Sequence, residues 1–121
     1  MLINDGAGSI PELHPFHLHG YRFWVVAHGE LPYRPDERPP VFNLDDPPLK
    51  DTLAVRTGEY AILRFVADNP GMWHFHCHLI VHMNIGLQMV FNVAEEKQAP
   101  PPADYFKAQT YDGAMCPTAF S

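Results

Sequence analysis

His14-Pro15-Phe16-His17-Leu18-His19-Gly20 and His76-Cys77-His78-Leu79-Ile80-Val81-His82 are the two stretches on which this chain turns. They gather imidazoles around a single thiol at a spacing for which packing gives no reason. Imidazole with one thiolate suits copper better than calcium or magnesium. Zinc also takes His and Cys and is the lesser alternative. In an extended strand, residues i and i+2 share a face and i+1 points the other way. His17 and His19 therefore project together, as do His76 and His78. Cys77 must face a second site. His82 returns to the cysteine's side if the chain leaves the strand through a short helical segment. His14 is held extended by Pro15. This spacing predicts one copper on His14, Cys77 and His82, and a neighbouring cluster using His17, His19, His76 and His78. Two His and one Cys form the ligand set of a blue-copper electron-transfer centre.

The two stretches resemble the third and fourth copper motifs of the multicopper oxidases, H-P-x-H-x-H-G and H-C-H-x-x-x-H. The resemblance is to the C-terminal cupredoxin (plastocyanin-like) domain and covers about Pro11 to Val93. It implies that His14, Cys77 and His82 bind type 1 copper, His17 type 2 copper, and His19, His76 and His78 the type 3 pair. Leu87, ten residues after the cysteine, falls at the axial position and would not coordinate. Such a residue is expected to raise the reduction potential. Tyr21 to Val26, Pro48 to Thr52 and Ala67 to Gly71 add to the likeness, which is read as strongest to animal-type laccases. The implied activity is oxidation of phenolic or diphenolic donors one electron at a time, with reduction of O2 to water at a trinuclear cluster. Cys77, His76 and His78 would form the electron path. Secretion to the extracellular space is the compartment that the resemblance implies.

Two departures stand out. Many fungal members carry an acid two residues after the second histidine of H-C-H, where this chain has Ile80. The family's first two copper motifs, contributed by its N-terminal domain, are absent. That domain is thus an expected partner, since this chain offers four of the eight cluster histidines. A single-copper electron-transfer module and a non-functional truncated fragment are the alternative readings. His28, standing alone, is read as a satisfied or simply exposed residue. Glu12 and Asp45-Asp46 are read as solvated loop charges, with donor binding as the sharper alternative.

A length of 121 residues suits one domain, and 46% hydrophobic residues suffice for a core. A net charge of -6 argues against nucleic acid as a partner. No apolar run approaches the roughly 18 residues of a membrane span, and no signal peptide is visible in this sequence. Cys116 is left over once Cys77 is given to a metal, which suggests an intermolecular or interdomain disulfide, or a free thiol.

Short β-rich runs separated by turns predict an all-β, cupredoxin-like Greek-key sandwich, incomplete on its N-terminal side. Strands are expected at 21–27, 52–56, 59–67, 72–76 and 87–94. Those at 52–56 and 59–67 should form a hairpin about Thr57-Gly58. A short helix is expected at 79–84, after the cysteine. Residues 30–50, rich in proline and charge, read as an irregular surface insertion. Residues 1–98 are taken as the domain and 99–121 as a Pro-rich tail.

Overall fold

In the computed structural model of the chain, residues 1–6 and 11–102 are described; Cys116 and most of the tail lie outside them. Among the described residues eight strands, β1 (Leu2–Asn4), β2 (Leu13–Leu18), β3 (Phe23–Glu30), β4 (Leu49–Lys50), β5 (Thr52–Arg56), β6 (Glu59–Arg64), β7 (Gly71–Cys77) and β8 (Gln88–Val93), form two antiparallel four-stranded sheets. Their orders are β1-β6-β3-β4 and β5-β2-β7-β8. The helix α1 (Ile80–Asn84) follows the cysteine, and a 3-10 turn at Glu95–Lys97 follows β8. The all-β sandwich with a helix after Cys77 is thus the observed architecture.

The core lies between the sheets, where Phe16, Leu18, Val55 and Phe75 of one meet Phe23 and Ala61 of the other. Phe16 and Phe75 stack at 5.6 Å between ring centroids. Alternation along β2 and β7 sends these residues inward and His17 and His76 outward, opposite each other across the ladder.

The hairpin about Thr57-Gly58 does not form. β5 pairs with β2, and β6 pairs with β1 and β3, so the turn crosses from one sheet to the other. The reason lies in burial. Val55 and Ala61 are both fully buried and face the core from opposite layers, which one hairpin ladder would prevent. The turn is tied down elsewhere: Thr57 N donates to Glu12 O (2.9 Å) and Gly58 N to Asn4 O (2.7 Å). Buried Asn4 adds amide bonds to Glu12 O and Val55 O.

β3 starts and ends later than its sequence pattern suggests. Tyr21 is held outside it, and Val26 sits in a bulge between the pairs Val25–Leu63 and Ala27–Ile62. The bulge frees the Val26 carbonyl to accept from Asn43 N. The 30–50 segment is mostly irregular, as expected, but its end supplies the short edge strand β4.

Glu59 fastens the same turn. Its carboxylate accepts from Arg56 N (2.9 Å) and from exposed His28 (3.1 Å). The Arg56 N–H chiefly holds the Glu59 pKa below the usual carboxylate range, and His28 adds to this against partial burial. The folded pKa is depressed, so the ionised form stabilises the fold above the unfolded value of about 4.3. That contribution disappears as pH falls through the folded pKa. Glu59→Gln should therefore melt earlier than wild type near neutrality and converge with it in acid, as thermal unfolding against pH would reveal.

Candidate metal centres

Three ligand atoms converge where β2, β7 and α1 meet. His14 Nδ1 and His82 Nδ1 are 3.0 Å apart, and each lies 3.7 Å from Cys77 Sγ. Cys77 is fully buried. Its N–H donates to Leu87 O (3.0 Å), while Leu87 N donates to His82 O (2.9 Å). These two backbone bonds pin the strand end, the helix and Leu87 together. Gly86, at φ +106, makes the reversal between helix and β8. Two imidazole nitrogens and a thiol facing one another this closely fit a trigonal His2Cys metal site. The outer nitrogens, Nε2 of His14 and of His82, face Glu12 Oε2 at 3.6 and 3.9 Å. Glu12 therefore sits at the rim of this centre, whereas Asp45 and Asp46 are exposed in the 30–50 segment.

The second group occupies the outer face of the β5-β2-β7-β8 sheet. His17 lies 4.9 Å from His19 and 5.8 Å from both His76 and His78, centroid to centroid. Backbone acceptors fix their tautomers. His17 Nδ1 donates to Asp51 O (2.9 Å), with Thr52 Oγ1 also within reach. His76 Nδ1 donates to Cys77 O (3.0 Å). Both rings therefore keep a lone pair on Nε2, the usual preparation of a metal-ligating histidine. His76 Nε2 meets His19 Nε2 at 3.0 Å. Partial desolvation, followed by the charge of neighbours His17, His76, His74 and His78, holds the His19 pKa below its ordinary value. The lowered pKa favours the neutral, ligating form of His19.

A corner beneath His19 sets its position. Gly20, at φ +71, turns the chain directly under the Trp73 ring. Trp73 Nε1 donates to Asn69 O (2.8 Å), as does Tyr21 Oη (2.6 Å), and Asn69 N donates back to Tyr21 Oη (3.0 Å). The Asn69-Pro70-Gly71 turn and the aromatic run after Gly20 thus form one clamp.

Sequence reasoning misses His74. It lies two residues before His76 on β7 and so shares its face. Its ring stacks on His76 at 4.3 Å and stands 5.4 Å from His19. The same period of two that selected His76 and His78 would have found it.

The sequence pattern described as multicopper oxidase matches residues 1–97. The chain belongs to the multicopper oxidase family. It is 52% identical over 99 residues to Laccase-11 of Arabidopsis thaliana, covering 78% of this chain and 18% of that protein. With Laccase-24 of rice (Oryza sativa subsp. japonica) it shares 49% identity over 98 residues, covering 77% and 17%. The laccase of Botrytis aclada superposes with a TM-score of 0.66 at 38% identity, covering 78% of this chain and 18% of that one. The chain thus spans under a fifth of the length of these relatives. The Arabidopsis and rice relatives are plant laccases and give no support to an animal-type likeness. Among the described residues, no helix is long and apolar enough to cross a membrane.

Proposed function

We propose that this chain is the C-terminal copper-binding domain of a laccase-type oxidase acting outside the cell, with residues 1–98 as the domain and 99–121 as a tail. In this reading His14, Cys77 and His82 hold type 1 copper, with Leu87 as its non-coordinating axial neighbour. His17 serves type 2 copper, and His19, His76 and His78 serve the type 3 pair, completed by histidines from an N-terminal domain. The observation that carries it is the convergence of Cys77 Sγ with the two Nδ1 atoms of His14 and His82.

Copper bound in these sites supplies one-electron acceptance from a phenolic or diphenolic donor and the reduction of O2 to water. The chain's own residues set the path and the donor's approach. Cys77 joins the first site to the second through its backbone, because His76 and His78 flank it in sequence. Glu12, beside the outer nitrogens of His14 and His82, is positioned to accept the phenolic proton as the electron leaves. The burial of Cys77 keeps water from its sulfur.

Anaerobic addition of a diphenol to the copper-loaded chain should bleach its blue colour. A site that holds copper but is not reduced by phenols would contradict the donor assignment. In Glu12→Gln the bleaching should slow by about 10²-fold, the low end for a lost general base, while the spectrum stays unchanged. Leu87→Met, which offers a weak axial thioether, should lower the reduction potential of the blue centre. Potentiometric titration reads that shift, and an unchanged or higher potential would remove Leu87 from the axial position.

A further inference from the structure

The geometry points to a second metal site that needs nothing from outside this chain: a three-imidazole site made by His74, His19 and His76. Each offers a nitrogen within 4.8 Å of the other two. His74 has no place in the four-histidine cluster set that the family motifs define, so this site is an addition to that set.

The hydrogen bonds around His74 give it the form of a ligand. Gln88 Nε2 donates to Met83 O at 2.9 Å, which fixes the amide so that Oε1 faces His74. That oxygen only accepts, so His74 Nε2, 2.7 Å away, must carry the proton. The free lone pair of His74 is then on Nδ1. His76 is prepared in the mirror sense, with its proton on Nδ1 toward Cys77 O and its lone pair on Nε2 toward His19. An outer acceptor that sets the tautomer of each ring is the pattern of metal-bound histidines. Nitrogens around a tetrahedral ion with bonds near 2.0 Å stand about 3.3 Å apart. The His19–His76 pair is already at 3.0 Å; His74, stacked on His76 with ring centroids 4.3 Å apart, has to turn its ring to bring Nδ1 onto the same ion.

Three imidazoles with no thiolate and no carboxylate suit a borderline first-row divalent ion, and copper(II) binds such a set most tightly. The site shares His19 and His76 with the proposed cluster but is independent of the Cys77 centre. It would let this chain hold a second ion before any other domain supplies further histidines.

The test uses the full 121-residue chain titrated with copper(II), with metal content, calorimetry and electron paramagnetic resonance as readouts. Wild type should bind two coppers, one with the blue thiolate band and one with nitrogen ligation alone. His74→Phe should keep the blue copper, which also reports a correct fold, and weaken the nitrogen-only copper by more than tenfold. Gln88→Leu should weaken that same copper by about 10- to 100-fold, as loss of an outer-shell partner does. His74→Gln, which keeps a polar side chain, replaces His74→Phe should the latter fail to show a cooperative melt. His28→Ala, on β3 of the other sheet, should bind as wild type. A nitrogen-only copper that survives His74 replacement but is lost in His78→Ala would overturn the inference, as would absence of any second copper. Failure of the Cys77 reading is distinguishable, because it removes the blue band and leaves the His74-dependent copper.

Discussion

Replacing Cys77 by serine should abolish the blue absorption of the copper-loaded chain while leaving it folded. Cys77 is the only sulfur among the three converging ligands, and its Sγ lies equidistant from both imidazole nitrogens. A serine hydroxyl is a hard, protonated group that neither matches the soft thiolate nor gives an intense charge-transfer band. Copper affinity at this centre should fall by more than the 10- to 100-fold, roughly, that loss of an outer-shell partner costs. Stability should fall as well. The position is fully buried, and a serine hydroxyl, on a shorter bond than the thiol, costs about 1–3 kcal/mol to the extent that it fails to reach the two imidazole nitrogens 3.7 Å from Sγ. The backbone bond from residue 77 to Leu87 O does not depend on the side chain, so the loop carrying His82 should stay in place. Retention of the blue band in Cys77→Ser would remove the cysteine from the centre altogether.

Gly20→Ala should be among the most damaging single substitutions outside the ligands. Two penalties combine. Residue 20 sits at φ +71, where a side chain costs about 1–2 kcal/mol. A Cβ there would also overlap the six-membered ring of Trp73, and such overpacking adds about 1–3 kcal/mol. Trp73 cannot retreat freely, because its Nε1 is bonded to Asn69 O and its ring meets Tyr21 edge-on at 5.7 Å. The chain must then move, and His19 is the adjoining residue. We expect a lower melting temperature together with weaker copper binding on the imidazole face, while the His14–Cys77–His82 centre is less affected. Metal titration of the two sites in this variant would separate the effects. Equal loss at both would mean that the corner supports the whole sandwich and not His19 specifically.

The facing of these side chains was legible in the sequence because a strand's period of two is rigid. His76 and Cys77 had to face opposite ways, and they do, with Cys77 toward His14 and His82 and His76 toward His19. The helix that returns His82 was also readable, since four residues between Cys77 and His82 leave room for little else. Pairing between strands was less legible. Thr57-Gly58 has the composition of a hairpin turn, yet Val55 and Ala61 must both reach the core and so occupy different sheets. Local turn chemistry does not record which layer each strand joins. Strand β1 was not foreseen, because Leu2–Asn4 is short and gains its partner only through β6. His74 was visible but fell outside the two motifs that framed the reading. Glu12 looked like a loop charge, and only the fold brings its carboxylate beside both imidazoles.

The most direct measurement is the copper-to-protein ratio at the thiolate centre, read from the visible and paramagnetic resonance spectra of the copper-loaded 121-residue chain. The account predicts one blue copper per chain, bonded to one sulfur and two imidazole nitrogens and lost in Cys77→Ser. A chain that remains colourless with copper, or whose copper carries nitrogen ligands alone, would contradict it.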